Sequence, residues 1–211
     1  MIRKLMPALL MALAVVAALA SPASASTFTA EKYPAAIEGT QVGEHVFTIE
    51  NNLTVRCQNA TFSGTLSEAS TTITITPAYT VCTAWGFNAT VNFNGCDYLF
   101  HAGKEVAVDK HSGTVDIVCS PGNSIVISGG GGICQVTIEA QTGLSTSNIE
   151  NNTSPMDATA TGSLTGIKYT KTKDAFGCPF AGTGTKTDGG YAGTATAIGR
   201  SGGVQVGISV S

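Results

Sequence analysis

Cysteines, histidines and acidic side chains are the residues here that could do covalent, metal or proton-transfer chemistry. Six cysteines stand at Cys57, Cys82, Cys96, Cys119, Cys134 and Cys178. A zinc site needs close-spaced ligands, and even the nearest two, Cys82 and Cys96, are too far apart along the chain for that pattern. An even count in an exported chain predicts disulfides, which leaves no thiol for catalysis. Of the histidines, His45 falls in a predicted strand, while His101 and His111 flank a loop that also holds Asp109. Converged, His101, Asp109 and His111 could bind a metal or move a proton; unconverged, they are solvated loop residues, which is the preferred reading. Asp97, Glu105, Asp116 and Glu139 could pair for glycoside cleavage if the fold joined them. Gly-x-Ser-x-Gly and His-Glu-x-x-His are absent from the sequence. Gly129 to Gly132 lacks the Lys and following helix of a phosphate loop and reads as a hairpin connection. No metal or other cofactor is expected.

A further candidate is aromatic. Tyr79, Trp85 and Phe87 lie close together around Cys82, in a stretch that reads as a loop. Exposed, they would stack on a sugar or an envelope polymer. Packed over the open end of a core and fastened by Cys82, they would be structural, and the size of an aromatic ring's hydrophobic contribution favours packing.

The address of the chain is written at its start. Arg3 and Lys4, the apolar run Leu5 to Ala20, and Ala23-Ser24-Ala25 have the form of a secretory signal peptide, giving a leader over 1–25 and a secreted domain over 26–211. No second long apolar run follows, so no membrane span is expected after cleavage. The formal charge is −3 without a basic stripe, which makes nucleic acid a poor partner. Only 12% of residues are charged, so solubility must come from Thr, Ser, Asn and Gly.

The elements that would position these residues are short alternating strands. Ala89, Val91 and Phe93 precede Asn94-Gly95, and Cys96, Tyr98 and Phe100 follow it, which predicts a β-hairpin about that pair. Leu53, Val55 and Cys57 alternate, as do Ile73 and Ile75, then Val115, Ile117 and Cys119, then Cys134, Val136 and Ile138. Gly64 predicts a bulge or bend. Gln141 to Thr161 lacks clear periodicity, Gly182 to Gly193 reads as a Gly/Thr-rich connection, and Val204 to Val210 reads as one final strand. The fold class predicted is all-β: a disulfide-stapled antiparallel β-sandwich, either one unit or two packed β subdomains. Six cysteines allow about 15 pairings. The preferred set is Cys57–Cys82, Cys96–Cys119 and Cys134–Cys178; the competing set joins Cys119 to Cys134 and Cys96 to Cys178.

The segments Phe28 to Pro34, Cys57 to Leu66, Cys82 to Phe87 and Gly95-Cys96-Asp97-Tyr98 resemble a group of small exported six-cysteine β-rich bacterial proteins, mostly actinobacterial, with no known function. The resemblance implies secretion and a β-rich fold, and transfers no activity, cofactor or functional residue. The function expected is therefore a non-catalytic secreted or cell-surface module, structural or binding, whose partner is an envelope glycan or another surface protein. The alternative is a secreted hydrolase that cleaves polysaccharide through paired carboxylates. A disulfide-stapled inhibitor presenting Ala84 to Asn88 is a third expectation.

Overall fold

A computed structural model describes residues 26–152 and 157–211. The expected leader lies outside the described residues. The strands, in chain order, are β1 (Phe28–Ala30), β2 (Ala35–Gln41), β3 (His45–Ile49), β4 (Leu53–Leu66), β5 (Thr72–Ala84), β6 (Phe87–Asn92), β7 (Cys96–Ala107) and β8 (Lys110–Cys119). They continue as β9 (Ile125–Gly129), β10 (Cys134–Ile138), β11 (Gln141–Asn151), β12 (Ala158–Asp174), β13 (Gly184–Ser201), β14 (Val204–Val206) and β15 (Ile208–Val210). Every pairing between these strands is antiparallel, and three disulfides join the preferred cysteine pairs.

The two walls of the expected sandwich are hydrogen-bonded along both edges, so the sheet closes. Four long strands, β4, β5, β12 and β13, run its full length. The other four paths are each two strands laid end to end: β2 then β3, β6 then β7, β8 then β9, β10 then β11. Each path pairs with the next in the chain, and β13 returns to β2 and β3. The result is an up-and-down barrel of eight paths, each paired with a neighbour on both sides, with β14 added on β13. Two hydrophobic clusters fill its two halves. One is built around Phe47, Ile127, Val136 and Tyr169, the other around Ile37, Leu66, Ile75 and Ile149. Both belong to one barrel, because the long strands pass through each.

Alternation explains the walls. On β8, His111, Gly113, Val115 and Ile117 are buried between more accessible neighbours; on β10, Cys134, Val136 and Ile138 are. Outward positions carry Thr, Ser, Asn and Lys, whereas a membrane barrel presents an apolar band outward. Among the described residues no helix is long and apolar enough to cross a membrane.

Both mouths are covered. At one, β1 pairs with β15, and the Asn151 amide bonds Val210 N and O, each at 2.8 Å. At the other, the loop after β12 is tied down by Cys134–Cys178 and places Phe180 edge-on to Trp85, ring centroids 4.9 Å apart. Buried Lys171 donates to Glu50 Oε1 at 2.6 Å and to the Ala181 carbonyl at 2.9 Å, fastening the same loop. The Lys171 hydrogen bond holds the Glu50 carboxyl below its ordinary range.

Several expectations are corrected. Asn94 and Gly95 do form a tight turn, with both φ angles positive and Cys96 N–H bonded to Phe93 O. The flanking strands do not pair with each other, however. They follow one another along β5, at Cys82↔Ala89 and then Ile75↔Tyr98, so the turn is a side excursion within one path. The stretch from Ala78 to Phe87 is not a loop: β5 runs to Ala84, Trp85-Gly86 makes a two-residue turn, and β6 begins at Phe87. The bend expected at Gly64 falls elsewhere. Gln58-Asn59 and the facing Thr80-Val81 are each two consecutive exposed residues, so both strands shift inward phase at the same level, with Val81 at φ 52°. Residues 141–151 and 184–201 are strands, and Val204 to Val210 is broken at Gly207 into β14 and β15, which pair with different partners.

Candidate ligand site in the barrel interior

Midway along the barrel the apolar filling is interrupted by four polar side chains from four different paths. His45 opens β3, Tyr79 lies on β5, Tyr98 on β7 and Tyr191 on β13. His45 Nδ1 is 2.6 Å from the Tyr191 hydroxyl, and His45 Nε2 is 2.9 Å from the Thr194 carbonyl oxygen. The Tyr79 hydroxyl is 2.9 Å from that of Tyr191 and 3.5 Å from that of Tyr98. Phe93 stacks on Tyr79 at 5.7 Å, and Phe62 meets it edge-on at 5.9 Å.

Small residues make the cluster possible. On β13 the alternation Gly193-Thr194-Ala195-Thr196-Ala197 turns Gly and Ala inward, and Ala160 and Gly162 of β12 do the same. A Cβ at Gly193 would lie 2.6 Å from His45 Nδ1, so only glycine lets the imidazole sit there. The volume these residues do not fill forms cavities. One of about 50 Å³ is bounded by Tyr79, Tyr98, Tyr191 and Ile127. A second, of about 100 Å³, adjoins Tyr98 and Tyr191 and is walled by Phe62, Ala160 and Gly193. A third, of about 90 Å³, follows toward β1 and β15. Tyr98, Tyr191, His45 and Leu164 border both the first and the second.

Electrostatics follow from burial. Desolvation lowers the His45 pKa against the opposing bond to Thr194, so the imidazole is neutral near pH 7. Desolvation pushes the Tyr98 hydroxyl up to about 12, and raises Tyr79 and Tyr191 well above the ordinary phenol value. All three remain protonated, hydrogen-bonding phenols.

The residues expected from sequence are distributed differently. Tyr79 is in the interior cluster, Trp85 is half-buried at the Phe180 mouth, and Phe87 lies beside Gly130. The structure does not bring the three onto one platform. The six cysteines are all bridged, with no free thiol among the described residues. His101, Asp109 and His111 do not converge: His101 bonds Asp116 at 2.8 Å, and His111 bonds Ser26. Burial raises the Asp116 carboxyl, but the Gly143 N–H and His101 bonds outweigh it and leave it below the ordinary range. Asp97 accepts from Thr76 and lies diagonally across β7 and β8 from Asp116, Glu105 lines a cleft near Asp109 and Asn151, and Glu139 lies beside Gln141 and Lys168, so the four carboxylates do not gather at one place. Among the described residues no group of three His, Cys, Asp or Glu could hold a metal. On the outer wall, Thr61, Thr40, Thr196 and Thr159 lie in register across four adjacent strands.

Sequence reasoning missed Tyr98 and Tyr191 as site residues and left His45 as a strand residue. The available signal was Ala/Thr and Gly/Thr alternation, which marks an inward face too small to fill a core. Compared with known protein families, curated proteins and solved structures, the chain matches none.

Proposed function

We propose that this chain is a non-catalytic binding module, exported by a bacterium of the actinobacterial type, that holds a small, largely apolar molecule inside its barrel. The observation that carries this reading is the pair of apolar cavities, about 50 and 100 Å³, on either side of the His45–tyrosine cluster. Eight strands enclose room for side chains or one small ligand, and an apolar cavity of roughly 150 Å³ accepts benzene or xenon. Three disulfides suit an oxidising compartment. Asp97 and Asp116 lie outside the lining of these cavities, which favours interior binding over the hydrolase alternative. A second reading, recognition of an envelope glycan or another surface protein, is favoured by the threonine row on the outer wall.

The test is NMR titration of the oxidised protein with toluene. Saturable shifts at Ala160 and Leu164 are expected, and Ala160→Leu, which fills the wall shared by the second and third cavities, should abolish them. Shifts confined to surface residues would refute interior binding.

A further inference from the structure

The hydrogen-bond direction within the cluster determines what it can offer a ligand. A carbonyl only accepts, so the Thr194 oxygen requires the proton on His45 Nε2. Neutral His45 then accepts at Nδ1, and Tyr191, 2.6 Å away, must donate. With that proton engaged, Tyr191 can only accept from Tyr79 at 2.9 Å. Tyr79 in turn has nothing left to donate to Tyr98, so the 3.5 Å contact is a long bond from Tyr98 to Tyr79. The protons of the relay all run toward His45, and unused acceptor capacity accumulates at the far end. Tyr98 Oη receives no bond from any of these groups, and Tyr98 lines both cavities.

Resting on the reading above, we infer that the interior site takes a small neutral molecule whose apolar body carries one hydrogen-bond donor, a hydroxyl or N–H, and that Tyr98 Oη receives it. A molecule with only acceptors could draw on the Tyr98 proton only at the loss of the Tyr98–Tyr79 bond, or, in the second cavity, on the buried Ser147 hydroxyl, which has no partner in the protein. A carboxylate would face desolvation in walls to which no Lys or Arg contributes. A purely apolar cavity would behave oppositely, favouring the isostere without the hydroxyl.

Phenol and toluene share a shape and differ in the donor, so the experiment compares their dissociation constants by NMR titration, with benzoate as a third probe. Wild type should bind phenol at least as tightly as toluene and benzoate at least tenfold more weakly. Tyr98→Phe keeps the Tyr79–Tyr191–His45 bonds and should weaken phenol at least fivefold while leaving toluene unchanged. Toluene binding tenfold tighter than phenol, or benzoate matching phenol, would overturn this inference and leave interior binding standing. If neither phenol nor toluene saturates, both fall.

Discussion

Protonating His45 would place a positive charge among Phe62, Tyr79 and Tyr191, whose rings lie 5.4 to 5.8 Å from its own. Burial therefore depresses its pKa below 6.5, and the sign of the consequence is fixed. Below about pH 6.5 the unfolded chain binds a proton that the folded imidazole refuses, so stability falls as pH falls. The slope from this one group is at most about 1.4 kcal/mol per pH unit. Urea unfolding between pH 7 and 5 should show the loss in wild type and a flatter profile in His45→Gln; identical profiles would deny His45 that role. Glu50 and Asp116 add their own losses at more acid pH, as protons reach carboxyls held below their usual range. Little of this was legible in the sequence. His45 sits in a clear strand, but its partner Tyr191 is 146 residues away and owes its position to barrel closure.

Strands with large apolar residues in strict alternation were readable: β3 follows its inward Phe47 and Ile49, and β5 near Ile73, β8 and β10 follow their inward Ile, Val and Cys. The start of β12 and most of β13 were not, because their inward residues there are largely Gly and Ala, which carry a weak hydrophobic signal; Leu164 with Ile167-Lys168-Tyr169 reads as strand, and Ala195 to Ile198 as a weak one. Those two strands are held by neighbours on both edges, so pairing rather than propensity forms them. The Asn94-Gly95 turn was read correctly, and its context was not, since the same turn can close a hairpin or step out of one continuous path. Cysteines were more informative. Cys57 and Cys82 are directly opposite across β4 and β5, with Cα atoms 4.1 Å apart. Replacing both by Ala should lower the unfolding free energy by about 3 kcal/mol, by releasing a constraint on the unfolded chain. Urea unfolding of the double variant measures it, and an unchanged midpoint would contradict the assignment.

At the scale of the molecule, nearest-neighbour order around a closed barrel accounts for fold and site together. Local hairpins bring successive paths side by side, and the return of β13 to β2 and β3 encloses the interior. One arc of the wall, formed by β2, β12 and β13, contributes small residues, while Phe62, Tyr98, Phe100 and Tyr191 supply bulk within the same chamber. That imbalance is why the filling is incomplete beside the tyrosines. Crystals of the oxidised protein, pressurised with xenon, test this most directly. Xenon is predicted inside the barrel, between Leu164, Tyr191 and Ala160. An ordered barrel that admits no xenon there would contradict the account.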